Sequence, residues 1–317
     1  MNAVNAPALD VTGLRKTFGD TVALDGVDLL VPTGSVFALL GPNGAGKTTI
    51  VHILSTLLPA DGGTVRVAGH DPATDPDDVR RAIGVTGQFS AVDGLLSARE
   101  NLALMADLCH LGREEGVRRV AAMLERFDLA DEATKPVVTY SGGMRRRLDL
   151  AMTLMGDPRI IFLDEPTTGL DPRSRRTVWS IVRGLVDDGV TILLTTHYLE
   201  EADRLADRVA VLDHGRVIAQ GTPEELKRTM PGGSIRLGFA DVRDLMTASR
   251  YFPAAVPDEH TLTLRIPSDG RADSLREALD RLHDASVAVE RASVHEPDLD
   301  EVFLALTGDL DPEGAHA

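Results

Sequence analysis

Short apolar runs and helical stripes alternate along most of the chain. From Leu9 to Leu30, apolar Val22, Leu24, Val27 and Leu29 stand between turn residues, which predicts short strands with a hairpin-like connection. Residues 35–40 (SVFALL) form an apolar run too short for a helix and bounded by Gly34 and Gly41, the pattern of a buried strand. Beyond a glycine-rich turn, apolar positions at 50, 51, 53, 54, 57 and 58 predict a helix over Lys47–Leu58, stopped by Pro59. Val65–Ala68 reads as a strand and Asp75–Ala82 as a short polar helix. A helical pattern covers Ala98–Leu129, and a second helix runs from about Gly143 to Met155. Strand and helix then alternate: Ile160–Leu163, Ser174–Asp187, Thr191–Thr195, Leu199–Leu205, and Arg208–Asp213 turning at His214-Gly215. This alternation predicts a mostly parallel sheet covered by helices, with an all-helical insert.

Met230-Pro231-Gly232-Gly233 is a cluster of helix and strand breakers and the expected domain boundary. After it the pattern reads strand (235–239), helix (241–251), strand (261–266), helix (272–283), strand (287–294), helix (298–306), a small α+β unit of ferredoxin-like order. The chain has 317 residues and a net charge of −16, and residues 231–317 hold 8 Arg, no Lys and 17 Asp and Glu, a balance of −9. Such acidity argues against a large nucleic-acid surface, which needs clustered Lys and Arg, but leaves a small anionic ligand open. One cysteine, Cys109, permits no intramolecular disulfide and no thiolate zinc cluster. Residues 1–9 lack the pattern of a signal peptide, and no apolar run approaches the roughly 18–20 residues of a membrane span. The expectation is a cytoplasmic chain that does not cross a membrane by itself.

Gly41-Pro42-Asn43-Gly44-Ala45-Gly46-Lys47-Thr48, with Thr49 beside it, matches G-x-x-x-x-G-K-[ST] between a strand and a helix. Amides converging on phosphate oxygens need glycines that take conformations closed to other residues, and the helix start adds partial positive charge. Lys47 suits neutralisation of the β- and γ-phosphates, and the Thr48 hydroxyl suits Mg²⁺. Ile160-Ile161-Phe162-Leu163 leads to Asp164 and Glu165, two carboxylates at a strand tip. Asp164 fits a water-mediated Mg²⁺ contact, and Glu165 fits orientation or deprotonation of an attacking water. Ser141 is an N-cap candidate before Gly142 and Gly143, either as a plain cap or as a second anion site. Arg145, Arg146 and Arg147 then occupy a first turn, where the helix dipole disfavours cations. They need an acidic neighbour or a solvated face, and both readings stay open. His197 at a strand end is by itself only a polar residue.

Together these motifs resemble the nucleotide-binding subunit of an ATP-binding cassette (ABC) transporter, in that family's order and over roughly residues 9–228. The resemblance implies a P-loop α/β core with a mixed sheet, an N-terminal antiparallel β subdomain and a helical subdomain at about 88–155. The expected domains are 1–230 and an accessory α+β domain, 231–317. It further implies that Gln88 is the glutamine of the coupling loop, touching Mg²⁺ and sensing the transport domain, and that Phe18 stacks on adenine. Asp171 belongs to the loop that crosses between subunits, and His197 contacts the γ-phosphate and holds the attacking water. The family's Leu-Ser-Gly-Gly-Gln signature is altered at both ends, to Tyr140 and Met144. Residues 87–93, 140–150, 195–203 and the tail 296–308 are most similar to the daunorubicin-resistance type of drug exporter. That likeness implies an ATPase that binds ATP and Mg²⁺, pairs head to tail with a second copy, and works on a separate membrane permease at the cytoplasmic face of the cell membrane. In the tail, Leu299, Val302, Phe303 and Leu306 form a helical stripe that suits a core face. The rival reading is a soluble ATPase of the same superfamily acting on nucleic acid or ribosomes. One phosphate loop, no sustained heptads and the acidic balance speak against it.

Overall fold

The alternating N-terminal stretch folds as a twisted hairpin, β1 (Leu9–Phe18) and β2 (Thr21–Val31), paired antiparallel with Leu9 opposite Val31. The computed structural model describes residues 6–87, 91–228, 233–268, 271–295 and 298–307. β3 (Val36–Leu40) is buried at every position, as an apolar run covered on both faces must be. α1 (Lys47–Leu54) is shorter than the apolar stripe predicts. Thr56 takes φ 67°, and the amides of Leu57 and Leu58 turn back to the His52 carbonyl at 2.8 and 3.1 Å, ending the helix before Pro59. β4 (Gly62–Val67) returns to β1, completing a three-stranded antiparallel sheet of order β2-β1-β4.

α2 (Pro76–Ala82) leads directly into β5 (Ile83–Thr86), a strand the sequence pattern does not announce. The helical insert follows as α3 (Ala98–Leu108), α4 (Arg113–Arg126) and α5 (Gly142–Thr153). Ser97 and Glu100 start α3 with a reciprocal capping box. His110 at φ 55° breaks the stretch predicted over 98–129 into two helices. Alternation then resumes through β6 (Ile160–Asp164), α6 (Pro172–Asp187), β7 (Thr191–Thr196), α7 (Leu199–Leu205), β8 (Arg208–Asp213) and β9 (Arg216–Gly221). The six-stranded sheet has the order β5-β6-β7-β3-β8-β9, parallel except for β9. One apolar cluster joins the antiparallel sheet, α1 and one face of this sheet, through Leu24, Val27, Ile50, Leu54, Phe162 and Leu212. Burying each such side chain contributes roughly 1.5–3 kcal/mol. The phosphate loop is thus anchored from below by packed aliphatics.

The chain divides into two compact units, Met1–Pro223 and Glu224–Ala317. Residues 230–232 of the expected boundary lie outside the described residues; the units part earlier, at the start of α8 (Pro223–Arg228). The second unit contains β10 (Ser234–Gly238), α9 (Val242–Ser249), β11 (Val256–Asp258), β12 (Thr263–Pro267), α10 (Ala272–Asp284), β13 (Arg291–His295) and α11 (Leu299–Thr307). Its antiparallel sheet has the order β11-β12-β10-β13, the ferredoxin-like split βαβ arrangement. Ile235, Leu237 and Leu264 pack against Leu245, Ala278 and Leu282 of α9 and α10. In the tail, Leu299 and Val302 are buried, Phe303 is half-buried and Leu306 is exposed.

Candidate active site

Parallel pairing brings the motif-bearing strand ends together. Leu40 lies opposite Thr196 and Asp164 opposite Thr195, so β3, β6 and β7 end along one edge, where parallel sheets bind ligands. The loop leaving β3 has no room for a Cβ at two of its glycines. A Cβ on Gly41 would lie 2.3 Å from the Leu212 carbonyl oxygen. Gly46 sits at φ 108°, and a Cβ there would lie 2.7 Å from Leu24 Cδ2 and 2.9 Å from the Ala23 carbonyl oxygen. The loop is therefore pressed onto β2 and β8, with its open side at the start of α1.

Lys47 opens α1, and its ammonium donates to the loop's own carbonyls, Gly41 O at 2.7 Å and Pro42 O at 3.0 Å. Burial pushes its pKa down, while the charges of Glu165 and Asp164 oppose that shift. A buried ammonium on a glycine-rich loop at a helix start fits a phosphate, which would supply the missing negative charge. The Thr48 hydroxyl donates to Asp164 Oδ2 at 3.1 Å, and the Thr195 hydroxyl donates to Asp164 Oδ1. Hard oxygens of one carboxylate and one hydroxyl, beside a phosphate pocket, fit Mg²⁺, whose remaining sites phosphate and water would fill.

Glu165 takes φ 48°, a left-handed conformation that disfavours side-chain-bearing residues. Its amide donates to the Thr195 carbonyl at 3.1 Å and to the Thr195 hydroxyl at 3.2 Å, which holds the turn. Its carboxylate then meets His197 Nδ1 at 3.1 Å through Oε1 and accepts from Thr168 Oγ1 at 3.2 Å through Oε2. Lys47, Thr48, Asp164, Glu165 and His197 thus form one constellation. Thr195 and Thr168 complete it, and sequence reasoning missed both. Two threonines ending the apolar strand β7 were the available signal for Thr195.

Ser141, Gly142 and Gly143 are placed differently. Ser141 caps α5, accepting from the Met144 amide at 3.3 Å. A Cβ on Gly143 would lie 2.4 Å from Ser174 Oγ, so the start of α5 packs on the start of α6. Asp171 caps α6 by accepting from the Arg173 and Ser174 amides at 2.9 and 3.0 Å and from Ser174 Oγ at 2.5 Å. The Ser174 hydroxyl, and after it the amides, hold the Asp171 carboxyl below its usual range. Among the described residues, no hydrogen bond joins these groups to the phosphate loop. Tyr140, at the altered end of the signature, is buried, and its hydroxyl donates to the Glu132 carbonyl at 2.6 Å. Phe18 ends β1 with its ring half-exposed and Lys16 Nζ 5.5 Å from its centroid. Gln88 lies outside the described residues.

The three arginines of α5 find separate partners. Arg145 donates to the Val138 carbonyl, Arg146 to Asp149 and the Gly87 carbonyl, and Arg147 to Asp128 and the Phe127 carbonyl. Acidic neighbours therefore answer the helix-dipole conflict for Arg146 and Arg147.

The sequence profile of the ABC transporter family matches residues 24–168. The chain is 48% identical, over 97% of its length and 94% of the relative's, to the daunorubicin/doxorubicin resistance ATP-binding protein DrrA of Streptomyces peucetius. It is 45% identical, over 95% and 94%, to the doxorubicin resistance ATP-binding protein DrrA of Mycobacterium tuberculosis. Among solved structures, a dimeric ATP-binding cassette in a post-hydrolysis state, bound to ADP and Pi, superposes with a TM-score of 0.61 at 27% identity. The superposition covers 68% of this chain and 98% of that one.

Proposed function

The chain belongs to the ABC transporter ATP-binding proteins, ATPases that couple hydrolysis to transport, and we propose that it powers efflux of a drug or antibiotic through a separate membrane permease. The observation that carries the reading of the site is the buried Lys47 ammonium, held on its own loop beside Asp164 and Glu165. The substrate class rests on relatives named for resistance to daunorubicin and doxorubicin. The rival assignment to nucleic acid or ribosomes has no support among these relatives, and a net charge of −16 opposes it.

Lys47 and the backbone amides of 43–48 would bind the β- and γ-phosphates, and Thr48, Asp164 and Gln88 would hold Mg²⁺. Bound Mg²⁺ would neutralise charge developing on the transferred phosphoryl group of ATP. Glu165 takes the proton from the attacking water, because its Oε1 is aligned by His197 and its Oε2 by Thr168. Phe18 stacks on the adenine.

Ser141, Gly142 and Gly143 present a helix N-terminus bonded into no part of the phosphate site described above. A second copy, docked head to tail, receives ATP against that terminus, and Asp171 shapes the crossing loop between the copies. One solved relative is dimeric. The permease docks in a cleft of about 740 Å³ lined by Arg80, Arg81, Val85, Met105 and Leu108. No helix among the described residues is long and apolar enough to cross a membrane. In this reading the pairing with a permease holds the subunit at the cytoplasmic face of the cell membrane.

Glu165→Gln tests the reading. ATP binding is retained, turnover falls by about a hundredfold or more, and closed dimer accumulates in size-exclusion runs with MgATP. Undiminished turnover would remove Glu165 from the role of base.

A further inference from the structure

The end of β1 is irregular on both edges. Its pairing with β4 stops at Arg15, opposite Gly62, and its register with β2 slips by one residue, since Lys16 faces Leu24 but Thr17 faces Val22. A slip of this kind bends the pair and re-aims the side chains beyond it. Asp61, the residue before β4, spans the irregular stretch. Its amide donates to the Arg15 carbonyl at 2.9 Å, its Oδ1 accepts from Lys16 Nζ at 2.8 Å, and its Oδ2 accepts from the Thr17 amide at 2.7 Å. The Lys16 ammonium, and after it the Thr17 amide, hold the Asp61 carboxyl below its usual range.

Phe18 is the next residue along. The Lys16 ammonium stands over its ring, 5.5 Å from the centroid, while the residue stays 47% exposed. A fixed cation thus occupies one side of the ring, and the other side is open to a flat ligand. The same hairpin end reaches the phosphate loop. Leu24, opposite Lys16, and the Ala23 carbonyl are the groups that crowd Gly46. Ring and loop are therefore neighbours, as the base and the phosphates of one nucleotide require. The Lys16–Asp61 pair has an exposed partner, the Asp61 side chain at 43%, and such pairs are worth little to stability. What the pair does is hold two groups in one arrangement before a ligand arrives, which lowers the cost of binding.

We propose that Asp61 is a positioning residue for nucleotide binding: it fixes the Lys16 ammonium against one face of Phe18 and steadies the strand end, so that the opposite face is preset for adenine. The assignment rests on Phe18 as the adenine platform. Asp61 touches no nucleotide itself and acts through the ring.

The test uses the full-length chain and reads melting temperature and two dissociation constants, for MgADP and for magnesium pyrophosphate, which carries the phosphates without the base. Asp61→Ala is expected to weaken MgADP about fivefold, to leave pyrophosphate within about twofold, and to melt within about 3 °C of wild type. Asp61→Asn keeps the shape and a neutral acceptor, and its Kd for MgADP is expected between those of Asp61→Ala and wild type. Phe18→Ala removes the platform and is expected to weaken MgADP about tenfold. In that background Asp61→Ala should add less than about twofold, because the two residues act as one unit. Asp61→Ala binding MgADP within about twofold of wild type would overturn the proposal. So would an equal loss for MgADP and pyrophosphate, the mark of a loosened phosphate site. So would a full further loss in the Phe18→Ala chain, or Asp61→Asn binding more weakly than Asp61→Ala. Failure of the adenine reading is distinguishable, because Phe18→Ala itself would then bind MgADP as tightly as wild type.

Discussion

Glu165 is held in a left-handed turn by a residue from another strand, and that makes Thr195 testable. Its hydroxyl donates to Asp164 and accepts from the Glu165 amide, so it aligns the metal carboxylate and the base together. Thr195→Val keeps the shape and removes both bonds. Glu165 N–H retains the Thr195 carbonyl, so the turn survives, while Asp164 keeps only the Thr48 hydroxyl of its two donors. A lost bond at a buried acceptor costs about 1–3 kcal/mol. The expected result is a kcat about tenfold lower, a higher Mg²⁺ concentration for half-maximal activity, and a nearly unchanged KM for ATP. A Mg²⁺ titration of ATPase activity checks it, and an unmoved midpoint would separate Thr195 from Asp164. The contiguous parts of the site were legible because each motif carries its own chemistry: the glycines, Lys47 and Thr48 in one run, Asp164 and Glu165 in another. Thr195 and Thr168 were not, because their meaning lies in register and packing. Asp164 faces Thr195 only once β6 and β7 have paired.

Between elements, the tightest functional approach is that of α5 to α6. Ser174 lies against Gly143, and its hydroxyl is tied to Asp171, so it cannot swing away without loosening the cap of α6. Gly143→Ala places a methyl group inside that contact and forces the two helix starts apart, an overpacking cost of about 1–3 kcal/mol. ATP-driven dimerisation in a Glu165→Gln background is expected to weaken about tenfold, measured by sedimentation with MgATP. Adding Ser174→Gly clears both crowding atoms and is expected to restore part of the loss. No recovery would show that Gly143 matters for its own backbone rather than for the space beside it. Most elements were readable from period alone: the buried runs of β3, β6 and β7, and the apolar faces of α4 and α6. The exceptions have local causes. β5 is four residues containing a glycine, β9 is a half-exposed edge strand, and β11 is three exposed residues at the rim of its sheet. α1 stops early because Thr56 adopts a positive φ that its composition does not advertise.

At the scale of the molecule, charge and packing both divide the chain. The acidic excess is concentrated after residue 230, whereas the phosphate loop, Lys47 and the α5 arginines belong to the first unit. The apolar cluster beneath the phosphate loop and the core of the ferredoxin-like unit have no residue in common. Separate cores imply separate unfolding events, and a ligand stabilises only the unit whose folded form it binds. Calorimetry of the Glu165→Gln protein should therefore resolve two transitions. MgATP at about a hundred times its Kd contributes about 2.7 kcal/mol, which for a unit of this size raises one transition by about 5–10 °C and leaves the other in place. Leu264→Ala, in the fully buried core of the second unit, should do the reverse. A Leu-to-Ala cavity costs about 2–5 kcal/mol, enough to lower the transition of this smaller unit by about 8 °C or more while the ATP-sensitive one stays. A single transition that moves with both ligand and mutation would mean that the units unfold as one. Nucleotide binding would then reach the acidic unit through its folding free energy rather than only through its connection in the chain.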